Sequence, residues 1–211
     1  MLFLPEKIIR EGKNGFTSAT IWGKRGIGKS TYALKVAYQL FKYHGYNDDE
    51  AWDKALDCFV FKLKDVISML EKRKENRIPI IVWDDAGVHA GSMMYHHDPK
   101  QARLLKQLMD VVRTSTYCLI LTCPSPKGLM KFLREYGDLN IKISKDHRWQ
   151  RNAVIYQQYL TPWNRQWWKK LCTESFSCYI PDNHYQKYAA KREKYFTEIM
   201  KEVEDKDGKG Q

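Results

Sequence analysis

Nine residues, GKRGIGKST at positions 23–31, constrain this chain more than any other stretch. They fit the pattern G-x-x-x-x-G-K-[ST], with Gly23, Gly28, Lys29 and Ser30 in the fixed places. The spacing has a chemical reason. Glycines let the backbone turn tightly, so that successive N–H groups, here those of Gly23, Lys24, Arg25, Gly26, Ile27, Gly28, Lys29, Ser30 and Thr31, converge on phosphate oxygens. Lys29 would reach the outer phosphates of a nucleotide, and the Ser30 hydroxyl would be a ligand for Mg²⁺. A helix that starts here adds its positive dipole end to the same anion. The flanks supply the required context. An apolar, β-rich run (FTSATIW, 16–22) precedes the loop, and a helical pattern follows over 31–43, with Leu34, Ala37, Tyr38 and Phe41 on one face.

Downstream, the apolar run PIIVW (79–83) ends in Asp84-Asp85. A buried strand delivering a carboxylate is what a phosphate loop needs for its metal. Neighbouring side chains on a strand point to opposite faces. Asp84 is therefore expected on Mg²⁺, through water, and Asp85 on the attacking water. The bland alternative is an Asp-Asp turn after a core strand.

Elsewhere, apolar runs and helical periodicity alternate. CFVFKL (58–63) reads as a second strand, 65–76 as an amphipathic helix, 78–83 as the third strand and 99–113 as a helix with Pro99 in its first turn. YCLIL (117–121) reads as a fourth strand, 127–136 as a helix and 139–144 as a fifth strand. Residues 1–15 are a mixed lead-in, 44–57 a loop or short helix, and 86–98 irregular. Strands alternating with helices imply an α/β fold with a mainly parallel sheet and ligands at the carboxyl ends of its strands. The core that carries both motifs is expected over 1–145. A small C-terminal strand and helical extension of the same domain follows over 146–204, with a strand at 152–160 and a charged helix at 183–203. A disordered tail is expected at 205–211.

The two motifs with an intervening strand (58–63) resemble P-loop ATPases of the additional-strand, catalytic-acid class, over roughly residues 14–145. That resemblance implies a P-loop NTPase three-layer fold, strand order 5-1-4-3-2, and a polar sensor at the end of strand four, where Thr122 stands. A Thr that merely caps a strand end is the alternative there. The segment LILTCPSPKGLMKFLREYGDLNIKI (119–143) looks most like HerA/FtsK-type DNA pumps, Zot proteins and viral genome-packaging ATPases, and the closing YIPDNHYQKYAAKREKY (179–195) is similar to the last helix of small packaging ATPases of viruses and mobile elements. The Asp-Asp pair resembles that of the AAA+ DnaA, DnaC and IstB initiators and loaders. The resemblance implies Mg²⁺-dependent ATP hydrolysis that drives translocation or packaging of double-stranded DNA by a ring of subunits, with a capsid or replication partner. The second reading is a loader in which ATP controls assembly. A ring also implies an arginine supplied in trans, for which Arg134 and then Arg113 are the candidates. A small-molecule kinase shares the loop, but the carboxylate pair and the lack of an arginine-bearing lid argue against it.

Charge agrees with a polyanionic partner: 36 Lys and Arg against 25 Asp and Glu leave +11. Segment 147–170 holds four of the seven tryptophans among Arg148, Arg151, Arg165, Lys169 and Lys170. That composition suits a nucleic-acid surface, and it suits equally an appendage packed through its tryptophans with a solvated basic face. His89, His96 and His97 have no cysteine or carboxylate at a familiar metal spacing. They are read as a solvated or ring-interface loop, in which Met93, Met94 and Tyr95 would meet a neighbour or a central pore. Five cysteines without a CxxC pair fit a reducing, cytoplasmic setting. The first residues, MLFLPEKII, do not form a signal peptide, and no apolar run is long enough for membrane insertion.

Overall fold

Seven strands form one sheet in the order β2-β3-β4-β1-β5-β6-β7 in the computed structural model of the chain, which describes residues 1–71, 77–92, 98–163 and 165–207. The strands are β1 (Thr17–Trp22), β2 (Phe59–Val60), β3 (Ile81–Trp83), β4 (Cys118–Cys123), β5 (Leu139–Lys145), β6 (Gln150–Leu160) and β7 (Gln166–Ser177). The first five are parallel and run 5-1-4-3-2, and β6 and β7 extend the β5 edge in antiparallel fashion. This is an α/β fold whose parallel strands keep the order that the resemblance to P-loop NTPases implies, in a sheet longer than those five strands alone.

The helices are α1 (Phe3–Glu11), α2 (Lys29–Tyr43), α3 (Asp48–Asp57), α4 (Leu63–Glu71), α5 (Pro99–Val111), α6 (Lys131–Tyr136) and α7 (Asp182–Asp207). Strand alternation sorts the core into two layers. Leu119 and Leu121 of β4, with Ile81 and Trp83 of β3, bury against Val66 of α4, Ala102, Leu105 and Met109 of α5 and Leu133 of α6. The intervening Val82 and Ile120 are equally buried on the other face, the α2 side, where Ala33, Val36, Ala37 and Leu40 of α2 are buried. Each such aliphatic side chain removed from water contributes about 1.5–3 kcal/mol. Trp83 is accommodated inside because its indole N–H donates to the Phe61 carbonyl at 2.8 Å.

Several segments differ from the sequence reading. The lead-in forms α1, whose first turn tolerates Pro5 because N–H groups there need no helical partner. Residues 48–57 form a full helix, closed by a capping box in which Asn47 accepts from the Glu50 amide and Glu50 accepts from the Asn47 amide. The second strand shortens to two residues because helix α4 already begins at Leu63. The aromatic, basic stretch after Trp163 is the long strand β7.

The chain divides into two compact units, Met1–Cys178 and Tyr179–Gln211. The second consists mainly of α7, which continues to Asp207 where a disordered tail was expected. No helix among the described residues is long and apolar enough to cross a membrane.

Candidate functional site

The loop between β1 and α2 is shaped by glycines that no other residue could replace cheaply. Gly28 sits at φ 105°, and a Cβ there would meet Cys178 Sγ at 3.1 Å. Gly23 sits at φ 152°, and a Cβ would lie 2.7 Å from the Ile143 carbonyl oxygen. Gly28 caps α2 without a side chain, so the first N–H groups of the helix have no side-chain cap. Lys29 is buried, and its ammonium folds back to the carbonyls of Gly23 and Lys24, both at 3.2 Å. Lys24, Arg25 and Gly26 are exposed at the tip, and Ile27, Ser30 and Thr31 are half-buried. Uncapped helix amides, a curled lysine and a glycine cradle are a donor set for phosphate.

The two motifs meet. Ser30 Oγ donates to Asp84 Oδ1 at 2.9 Å, bringing a hydroxyl and a carboxylate 54 residues apart into one cluster. Asp84 is wholly buried; its amide continues the β2–β3 ladder by donating to the Val60 carbonyl at 2.8 Å. Thr122 is wholly buried within β4 and donates to Asp84 Oδ1 at 2.6 Å while accepting the Asp85 amide at 2.9 Å. These oxygens, hard and close together, are the chemistry that Mg²⁺ takes.

Asp85 leaves the cluster by another route than strand alternation. The strand ends at Trp83, and Asp85 adopts a left-handed conformation (φ 52°, ψ 36°), the only non-glycine positive φ among the described residues. A side chain rarely takes this conformation, although aspartate tolerates it better than most. The turn places Asp84 in the cluster and leaves Asp85 half-exposed.

The two arginines are not part of this cluster. Arg113 is exposed in a 3₁₀ turn (Val112–Thr114) before β4 begins, at the end of the sheet opposite to the loop. Arg134 is half-buried in α6, with its Nε shielded from water and lacking a hydrogen-bond partner. The segment leading into α6 is nearer the site: the Met130 amide donates to the Ala90 carbonyl at 3.0 Å and the Ser92 amide to the Gly128 carbonyl at 2.9 Å. His96, His97, Met93, Met94 and Tyr95 lie outside the described residues. Among the described residues no group of His, Cys, Asp and Glu forms a further metal cluster.

Two contributors were not legible beforehand. Arg151 of β6 donates from Nε to the Ile27 carbonyl at 3.0 Å, tying the antiparallel extension to the phosphate loop. Cys178, just after β7, stands beside Gly28. Both follow from the register of β5–β6–β7, and no spacing motif marks them.

No established family profile matches the chain. Among solved structures it is similar to the N-terminal domain of zonular occludens toxin from Neisseria meningitidis (16% identity, 76% of this chain and 95% of that one, TM-score 0.44). It is also similar to the genome packaging NTPase B204 from Sulfolobus turreted icosahedral virus 2 in complex with ATP-gammaS (12%, 74% and 97%, TM-score 0.45). Among proteins compared by sequence, ORF286 of Acidianus two-tailed virus is 28% identical over 152 residues, covering 70% of this chain and 50% of that protein. Protein B-251 of Sulfolobus spindle-shape virus 1 is 31% identical over 221 residues, covering 97% of this chain and 85% of that protein. At that identity and coverage, the chain belongs to the family of the spindle-shape virus protein B-251.

Proposed function

We propose that this protein is an Mg²⁺-dependent ATPase that works as a ring on double-stranded DNA, moving or packaging a viral genome. The observation that carries the enzymatic part is the Ser30–Asp84 bond at 2.9 Å, which joins the loop hydroxyl to a buried strand-end carboxylate. In this reading the loop amides and Lys29 hold the phosphates, and Ser30 and Asp84 hold Mg²⁺. When bound, the metal supplies positive charge to the β- and γ-phosphate oxygens. Asp85, turned out of the cluster, orients the attacking water and accepts its proton. Thr122 positions both aspartates through its two hydrogen bonds. Arg134, half-buried in α6, is the arginine supplied to a neighbouring subunit.

DNA is supported by the end of the β6–β7 hairpin. Beyond the last β5 pairing, Gln158, Tyr159 and Leu160 pair with Trp168, Trp167 and Gln166. Tyr159 stacks on Trp167 with centroids 4.7 Å apart, Trp163 is 82% exposed, and Arg165, Lys169 and Lys170 are exposed around them. Cations with stacking rings suit a phosphate backbone and its bases. The relatives from two viruses support a role with a viral genome.

The test is phosphate release from ATP with no DNA, single-stranded DNA and duplex DNA at low and moderate salt. Wild type is compared with Lys29→Ala and with Lys169→Ala/Lys170→Ala. Duplex-stimulated turnover that falls with salt, vanishes in Lys29→Ala and loses its stimulation in the hairpin variant supports the reading. Turnover indifferent to DNA overturns the motor and favours an ATP-controlled assembly switch.

A further inference from the structure

The phosphate loop accounts for the triphosphate but not for the base. The γ-phosphate end would lie on the carboxylate side, because Ser30 and Asp84, which would hold a metal and supply positive charge to the outer phosphates, lie towards β3 and β4. The base must then leave the loop on the other flank of β1, towards β5 and β6. At that flank, and at the same carboxyl end of the parallel strands, stands the turn that joins β5 to β6 (146–149).

This turn is clamped to the loop by a single guanidinium. Arg151 Nε donates to the Ile27 carbonyl at 3.0 Å. Its Nη1 donates to the carbonyls of His147 (2.8 Å), Arg148 (3.2 Å) and Gln150 (2.9 Å). A second tie runs through Cys178, whose amide donates to the Trp149 carbonyl at 2.9 Å and whose sulfur lies beside Gly28. Trp149 is thus anchored by its backbone to Cys178, the neighbour of Gly28, while the residue stays 65% exposed. The Arg148 guanidinium lies over that ring, 5.3 Å from its centroid. An exposed tryptophan with a stacked cation, rigidly held beside a phosphate cradle, is a platform for a flat aromatic ring.

The geometry points to Trp149, with Arg148, as the platform on which the purine base of the bound nucleoside triphosphate stacks. This rests on the reading of residues 23–31 as a nucleotide site. Stacking reads a π-face and not a hydrogen-bond pattern, so ATP and GTP are held alike. Arg151 acts through the turn, as a positioning residue.

Calorimetric titration of the whole protein with ATP, GTP and inorganic tripolyphosphate, each with Mg²⁺, tests this in wild type, Trp149→Ala, Trp149→Phe and Lys29→Ala. Trp149→Ala is expected to weaken both purine nucleotides about tenfold and to leave tripolyphosphate unchanged. Trp149→Phe keeps a ring and recovers most of the loss, and Lys29→Ala weakens all three ligands. ATP affinity unaltered in Trp149→Ala overturns the platform, as does a parallel loss of tripolyphosphate affinity, which would mark a distorted loop. A fall in duplex DNA affinity with ATP affinity unchanged overturns it in favour of a DNA contact. If wild type binds neither ATP nor tripolyphosphate, the nucleotide site itself is overturned.

Discussion

Thr122 Oγ1 lies 2.6 Å from Asp84 Oδ1, and both residues are wholly buried. The same hydroxyl accepts the Asp85 amide, so one side chain holds the Asp84 carboxylate and the Asp85 backbone. Thr122→Val keeps the shape and deletes both bonds. Loss of a buried hydrogen-bonding partner costs about 1–3 kcal/mol, read as a lower urea midpoint, and phosphate release should fall with it. Thr122→Ser keeps the hydroxyl, so it should recover turnover and give up only about 1 kcal/mol for the buried methyl group. Equal damage by Ser and Val would mean that the methyl, not the hydroxyl, matters.

Asp85 combines a left-handed backbone with a half-exposed side chain. Asparagine accepts this conformation nearly as well as aspartate, whereas a β-branched residue does not. Asp85→Asn is therefore expected to change stability by under about 0.5 kcal/mol while abolishing turnover and retaining ATP binding. Asp85→Val should lose turnover and a further 1–3 kcal/mol or so of stability. Paired denaturation curves and phosphate-release assays separate the two. Retained turnover in Asp85→Asn would remove this carboxylate from proton transfer.

The parts legible in the sequence are those whose spacing is imposed by chemistry or by a buried strand. The glycine loop and Asp84-Asp85 are recognisable because their residue types stand at fixed spacings, and the structure brings Ser30 and Asp84 together. The apolar runs of β1, β3 and β4 are recognisable because both their faces are covered. The antiparallel extension is different. A register shift between Ile155 and Tyr156 breaks the period-two pattern, and the hairpin end projects where neither face is buried, so WWKKLCTES shows no clean alternation. Helix α1 begins against Glu174, 171 residues away, a contact that no local pattern reveals. The capping box of α3 joins Asn47 and Glu50 locally, although the segment 44–57 reads as a loop or short helix.

Gly28 is held by two separable constraints, its φ of 105° and the sulfur 3.1 Å from a Cβ position. Gly28→Ala should therefore cost about 1–2 kcal/mol of backbone strain beyond the steric contact, and deform the loop enough to lose ATP binding. In that background Cys178→Ala removes the steric share alone. Its expected effect is a partial return of the thermal midpoint with no return of nucleotide affinity. Full recovery of both would show that crowding, not conformation, makes glycine necessary here.

Glu174 joins three elements: its Oε1 accepts the Tyr32 hydroxyl at 2.5 Å and its Oε2 accepts the Phe3 amide at 2.8 Å. Burial, then the nearby Glu174 charge, holds the Tyr32 phenol well above its ordinary pKa. Burial likewise pushes the Cys123 thiol up to about 12. Raised values mean that the fold retains protons which the unfolded chain releases. Their stabilisation is complete below the unfolded values, about 9 for the thiol and about 10 for the phenol, and declines as pH rises through the folded ones. The urea midpoint should accordingly hold to about pH 9 and fall beyond it. Tyr32→Phe loses one hydrogen bond, roughly 1 kcal/mol at pH 8, but removes the phenol's ionisation. The difference between wild type and Tyr32→Phe should thus narrow between pH 10 and 11 as the wild type loses its phenol-linked share. A constant difference across that range would place the alkaline loss on other groups, the buried thiols first.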